Sequence, residues 1–244
     1  MHVGSRAPLN DYTVRAFPGT TLRDRLGRAV SRANCLPRKE FFESWEFARR
    51  INRKLRGGRV VDLACGHGLL AYCLLLLDRT VPEALAVDIR IPPCATRLSR
   101  ALETAWPWLR GRVTYQQARI EEVSIGPDDL VVSAHACADM TDRILEKAMA
   151  VGARVAVLPC CQSEWRCDTG SLLGWLDVGL AVDVTRVARL RAAGYTVQTS
   201  RIPEEITPKN RIILAYRGAP RRPAPSLDGP SGSGPSPDRE GDKS

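Results

Sequence analysis

Three groups of residues in this 244-residue chain have the types and spacing that support chemistry. The first lies in VVDLACGHGLLAYCL, where Asp62 precedes Gly66 and Gly68, and Asp88 follows Gly68 by 20 residues. Glycine has no Cβ, so backbone there comes close to a ligand. A helix starting behind the glycines aims its free amides at that ligand. An acid ending the next strand accepts hydrogen bonds from ribose hydroxyls. Together these features point to a nucleoside cofactor: NAD, FAD or S-adenosylmethionine. The second group is SAHACADMTD, residues 133–142, with His135, Cys137 and Asp139. The third is LPCCQS, residues 158–163, with Cys160 and Cys161. Both follow apolar, strand-like stretches. Ligands of doubly wound sheets bind beyond the carboxyl ends of the strands, so all three groups should meet in one crevice.

The first group also discriminates among cofactors. A dinucleotide site presents G-x-G-x-x-G to cradle pyrophosphate. Here Leu69 and Leu70 follow Gly68 and no third glycine comes after them. Asp62 would repel a pyrophosphate and suits a cationic amino-acid end. Both points favour S-adenosylmethionine.

On these residues, over roughly 40–217, the chain resembles class I S-adenosylmethionine-dependent methyltransferases. Their frame is an acid followed by spaced glycines. Asp62, Gly66 and Gly68 match it, and Ala64 stands where a glycine is common. The resemblance implies that Asp62 lies near the cofactor's amino group, Gly66 and Gly68 near its methionine moiety and Asp88 on the ribose. It further implies that Arg119 and Ile120 flank the adenine. The later motifs, H-x-C-x-x-x-T-D and P-C-C, are similar to those of one methyltransferase branch. That branch comprises bacterial methyltransferase-domain proteins and, more distantly, eukaryotic tRNA ribose methyltransferases with H-x-C-G and C-C-H in the same places. The eukaryotic enzymes carry N-terminal zinc fingers. Residues 1–59 here hold only one cysteine, Cys35, so the tRNA substrate does not follow from this resemblance alone.

Methyl transfer from a sulfonium is an in-line displacement that needs positioning and, for a hydroxyl acceptor, a base. His135 and Asp139 are candidate bases. Equally, His135 would pack beside the cofactor and Asp139 would cap a helix starting near residue 141. Cys160 is a candidate nucleophile toward a pyrimidine ring. Equally, Cys160 and Cys161 fit as small buried hydrophobes. A metal reading joins them to His135, Cys137 and Cys167, but adjacent cysteines fit the C-x2–4-C spacing of zinc sites poorly, and no metal ligand is assigned. A zinc nucleobase deaminase is excluded, because Cys137 stands where H-x-E requires glutamate. No N/D-P-P-Y motif follows the fourth strand. This counts against methylation of exocyclic amines and leaves O- and C-methylation open.

The elements that must position these residues follow from periodicity. Residues 20–33 are expected to be helical, with Thr20 or Thr21 as cap. Residues 39–56 form a second helix, on which Phe41, Trp45, Ala48, Ile51 and Leu55 make one apolar stripe. From residue 58, strands at 60–64, 84–88, 113–116, 130–133 and 155–158 alternate with helices through 77, over 96–109 up to an interruption at Pro107, and over 141–150 and 178–193. Stretches 195–201 and 211–216 have no helix between them and form a hairpin. The pattern predicts an α/β fold: a Rossmann-like, doubly wound, mostly parallel seven-stranded sheet with an antiparallel C-terminal hairpin. It divides the chain into a basic helical extension (1–57), a cofactor-binding methyltransferase domain (58–217) and a tail (218–244). The tail has 16 Pro, Gly or Ser among 27 residues, too little apolar surface to offset the entropy of ordering.

The net charge of +9 is confined to the start of the chain. Residues 1–59 hold 14 Lys/Arg against 5 Asp/Glu, while residues 60–244 hold 22 of each. Such a segment suits a polyanion, although 31 of the 36 basic residues are Arg, a bias that base composition alone produces. Arg49, Arg50, Arg53 and Lys54 suit either phosphate contacts or the negative end of a helix dipole. Lys209 and Arg211, in ITPKNRIILA, suit either a substrate phosphate or a solvated turn. The longest apolar run, residues 69–77, falls far short of the roughly 20 residues a membrane span needs. The start, MHVGSRAPLNDY, has no apolar signal core. A reducing cytoplasm is therefore expected, with no membrane partner and no disulfide-linked partner, and the eight cysteines are expected as thiols or metal ligands rather than disulfides. The expected function is S-adenosylmethionine-dependent methylation of RNA (tRNA or rRNA), docked on the basic helices. The alternatives are a protein or small-molecule methyltransferase, or a non-catalytic binding module on the same fold.

Overall fold

The computed structural model describes residues 2–218, so the tail expected to be disordered lies, from residue 219 on, outside the described residues. Two helices, α1 (Leu22–Ala33) and α2 (Arg38–Lys54), precede the alternating part. There β1 (Val60–Leu63), α3 (Leu69–Leu77), β2 (Ala84–Asp88), α4 (Cys94–Ala105), β3 (Val113–Gln117) and β4 (Leu130–Ala134) lead into α5 (Asp139–Val151). Then follow β5 (Arg154–Leu158), α6 (Val178–Ala192), β6 (Thr196–Arg201) and β7 (Arg211–Tyr216).

Local chemistry sets the boundaries. The Thr21 hydroxyl accepts from the Asp24 amide and opens α1; Asn34, at φ 46°, closes it in the left-handed conformation. Pro37 precedes the first residue of α2, where no amide is needed. The stripe Phe41, Trp45, Ala48, Ile51 and Leu55 is buried throughout. Burial of Phe41, Trp45 and Ile51 contributes roughly 1.5–3 kcal/mol each. Helix α3, LLAYCLLLL, is apolar on every face, the pattern of a helix packed on all sides.

The sheet order is β3-β2-β1-β4-β5-β7-β6. The first five strands are parallel; β7 runs antiparallel to both β5 and β6. Chain direction across the sheet reverses between β1 and β4, so the segments leaving their carboxyl ends diverge and open a crevice. On one face, α2 lies along α3 and α1 crosses α4, with Phe17, Phe41 and Phe42 stacked edge-on beneath. On the other, Ile144 and Leu145 of α5 and Leu190 of α6 cover Val61, Val131 and Val155. Among the described residues no helix is long and apolar enough to cross a membrane.

One expectation is corrected. Cys35 and Cys94 are joined in a disulfide, with Cα atoms 5.2 Å apart. They are 59 residues apart in sequence, and only the packing of α1 against α4 brings them together, so spacing gave no sign of the pair. The other six cysteines are free.

Candidate active site

A cavity of about 530 Å³ opens beyond the carboxyl ends of β1, β2 and β4. Of the residues expected to hold a cofactor, Asp62, Gly66, Asp88, Arg119, Ile120 and His135 line it, as does Asp139. Its size suits a nucleoside-sized ligand.

Asp62, the last but one residue of β1, lies in the sheet's interior and is 1% exposed. The Ala71 amide, in the first turn of α3, supports one side of its carboxylate, while Oδ2 is buried with no partner. Burial pushes this carboxyl up to about 8, and the charge of Asp88 adds to the effect. The chain then turns through Ala64 (φ 58°), Gly66 (φ 54°) and Gly68 (φ 78°). A Cβ on Gly66 would meet nothing within 4 Å, because that side faces the open cavity. Its amide donates to Asp88 Oδ2 at 2.9 Å, tying the glycine turn to the end of β2. Gly68 is not among the lining residues. Its hydrogen faces Tyr115, whose hydroxyl a Cβ would approach to 2.7 Å and which donates to the His67 carbonyl. Asp88 also accepts from the Arg90 amide. Two amides use about half of the lone-pair positions of a carboxylate, so capacity for two hydroxyls remains. Ile89, 65% exposed, and Met140 present apolar surface to the cavity.

Against the glycine turn stand α2 residues that the sequence did not single out. Glu40 and Ser44 line the cavity. Glu40 bonds His67 Nε2 at 2.8 Å. Glu43, completely buried, lies 3.0 Å from His135 Nε2 and 3.2 Å from Lys39 Nζ. Burial pushes the Glu43 carboxyl up, but His135 and Lys39 outweigh it and hold it below the usual carboxylate range. The available signal was an acid pair three residues apart, Glu40 and Glu43, near the N-terminal end of α2 and away from Arg49, Arg50 and Arg53. Nothing local said that this end would face a ligand.

The segment after β4 is held in costly backbone conformations, His135 at φ 68° and Ala138 at φ 51°. The Ala138 carbonyl accepts from Arg186 at 2.9 Å. Arg186 is itself fully buried and paired with Asp142 and Asp183. Asp139 pairs with Arg143 (3.2 Å) and Arg166 (2.5 Å). Cys160 does not line the cavity; its sulfur lies 3.4 Å from that of Cys137, which does. Burial and the thiols of Cys137 and Cys161 push the Cys160 thiol up, which leaves it protonated and weakly nucleophilic near neutral pH.

The basic residues lie elsewhere. Glu40 is at the cavity, whereas Asn52 bonds the Leu77 carbonyl at the far end of α3. Arg53 is therefore about 20 Å down α2 from Glu40 at 1.5 Å per residue. Arg49 and Arg50 pair with Glu46, and Arg50 also donates to the Arg201 carbonyl. Arg53 and Lys54 are exposed. Arg211 bonds Asp183 at 2.6 Å, and Lys209 is exposed in the turn before β7; neither lines the cavity.

A family model described as a methyltransferase domain matches residues 40–168. Among curated proteins, a glutathione S-transferase C-terminal domain-containing protein homolog from Drosophila pseudoobscura pseudoobscura is 24% identical over 198 residues. The match covers 65% of this chain and 33% of that protein, so the chain spans about a third of its length. Among solved structures, one assigned as an rRNA methylase from Clostridium thermocellum aligns with a TM-score of 0.50 at 16% identity, covering 71% of this chain and 94% of that one. An O-methyltransferase family protein from Burkholderia thailandensis aligns at 0.48 and 17% identity, covering 88% and 65%. These likenesses are of fold.

Proposed function

Because the chain belongs to the methyltransferase-domain family, we propose that it is an S-adenosylmethionine-dependent methyltransferase and that its substrate is RNA. The observation that carries the cofactor is Asp62 Oδ2, a buried carboxylate oxygen without a partner, on the wall of a nucleoside-sized cavity. A carboxylate so placed is stabilised by a cation, and the amino group of the methionine end supplies one. The rest of the wall fits the same molecule: Gly66 leaves space for the methionine chain, Asp88 has free lone pairs for the ribose, and Ile120 and Ile89 offer apolar surface to an adenine.

S-adenosylmethionine, when bound, supplies an electrophilic methyl group on a sulfonium. What the chain adds is position and a proton acceptor. Glu43 lies 3.0 Å from His135 Nε2 and occupies that edge of the ring, which leaves Nδ1 as the nitrogen to take a substrate proton. His135 is thereby oriented as the base for a hydroxyl acceptor. Asp139 is held by two arginines and serves to position Arg143 and Arg166 at the cavity rim. Cys160 is set back from the cavity, which makes O-methylation the better reading than attack on a pyrimidine.

RNA is proposed from charge. The excess of the N-terminal quarter, with Arg53 and Lys54 exposed, supports a phosphate-contacting surface on the flank of the domain. The test has two steps. Calorimetry with S-adenosylmethionine should give one site per chain; no binding would overturn the cofactor assignment. Labelled methyl transfer from the donor into total RNA or total protein of a deletion strain then assigns the substrate class. Label in protein alone would overturn the RNA reading.

A further inference from the structure

We propose that Cys137, Cys160 and Cys161 bind a zinc(II) ion through three thiolates, with one coordination position left open. The inference goes beyond the methyl-donor reading and does not depend on it. The three Sγ atoms lie within 4.8 Å of one another, and those of Cys137 and Cys160 are 3.4 Å apart. Zinc–sulfur bonds of about 2.3 Å at tetrahedral angles set sulfurs about 3.8 Å apart, which this range brackets.

The fold brings these sulfurs together for reasons that adjacency in sequence hides. Strands β4 and β5 are parallel neighbours, with Ala134 opposite Leu158, so the segments leaving them run side by side. Two further bonds tie those segments beyond the sheet: His135 N–H to the Leu158 carbonyl at 3.2 Å, and Ala138 N–H to the Cys161 carbonyl at 2.8 Å. Cys137 sits between the two left-handed residues, His135 and Ala138, in a turn that carries its side chain across to β5. The ligand set is all sulfur. His135 is held by Glu43, and Cys167 is buried beside Arg186, Ala138 and Val182. Arg166, anchored on Asp139 beside the cluster, offsets the net negative charge of a zinc ion with three thiolates.

Cys137 and Cys161 are exposed, so the fourth position faces solvent, and Cys137 also belongs to the cavity wall. Three protein ligands with an open fourth position are the pattern of zinc sites that bind an exchangeable ligand, in contrast to closed structural sites. As each sulfur–zinc bond forms, the thiol releases its proton to solvent.

The experiment uses the full chain, stripped with a chelator and kept reduced. Addition of cobalt(II) should give the near-ultraviolet thiolate-to-metal band and the visible bands of tetrahedral cobalt, and zinc(II) should displace both. Cys137→Ser and Cys161→Ser should each weaken zinc binding at least about tenfold, and Cys167→Ser should leave it unchanged. Exposed Cys161 is the variant least able to unfold the chain, and circular dichroism checks each fold. Absence of the thiolate-to-cobalt band in the reduced wild type would overturn the proposal, as would undiminished zinc affinity in Cys161→Ser. Titration of the same metal-free protein with S-adenosylmethionine separates the two readings. Donor binding without the cobalt band sinks the zinc site alone; the band without donor binding sinks the donor reading alone.

Discussion

Asp62 gives the most direct test at the scale of single residues. Its carboxyl is pushed from an ordinary 3.8 up to about 8, chiefly by burial, with Asp88 facing it and the thiols of Cys65 and Cys73 nearby. Between those values the folded chain holds a proton that the unfolded chain has lost. Its contribution to stability is therefore full below about pH 4, declines as pH rises, and is gone above about 8. A bound cation reverses the preference and draws out the ionised form. At pH 7, S-adenosylmethionine binding should release about one proton, read as a dependence of the calorimetric enthalpy on the buffer's ionisation enthalpy. Asp62→Asn should abolish that release and weaken binding; identical enthalpies in two buffers would refute the assignment. A second residue carries a cost the turn imposes. Ala64, at φ 58°, occupies the position where the resembling family commonly has glycine. Ala64→Gly should raise stability by about 0.5–1 kcal/mol in denaturant unfolding, the left-handed penalty less the added freedom of the unfolded chain.

At the scale of elements, the loop after β4 depends on a buried cation. Arg186 of α6 holds the Ala138 carbonyl and two carboxylates, Asp142 of α5 and Asp183 of its own helix. Arg186→Ala leaves those carboxylates buried with less compensation, and should cost about 3 kcal/mol or more in denaturant unfolding. The link between α1 and α4 has a different signature. A disulfide closing a 59-residue loop stabilises mainly by restricting the unfolded chain, so replacing Cys35 and Cys94 together with alanine should cost about 2–4 kcal/mol. Neither device was legible in the sequence, because each joins side chains from elements far apart along the chain. What was legible depended on neighbours. The apolar strand, the glycines and the acid after the next strand sufficed to bring Asp62, Gly66 and Asp88 to one wall, since parallel pairing of β1 with β2 fixes their relative positions. Helix boundaries were readable where a cap exists, as at Thr21, and the stripe on α2 gave its buried face. It gave no hint that Glu40 and Ser44 line the cavity or that Glu43 lies behind His135, since that depends on how α2 packs against α3.

For the molecule as a whole, the cations of α2 and the cavity sit at different places. Arg49 and Arg50 are already paired with Glu46, which leaves Arg53 and Lys54 as the cations of α2 best able to release counterions from RNA. Arg53→Gln with Lys54→Gln should lower the slope of log affinity against log salt by about 1–2, while calorimetric binding of S-adenosylmethionine stays as in wild type. An unchanged slope would move the RNA surface off this helix. The placement of α1 and α2 also carries a consequence in time. They are made before the surfaces they bury against, which belong to α3 and α4, residues 69–77 and 94–105. During synthesis the stripe from Phe41 to Leu55 must wait, wet and unpartnered, until roughly twenty further residues, those that complete α3, have left the ribosome. Until α3 follows, that exposed apolar face is a target for chaperones.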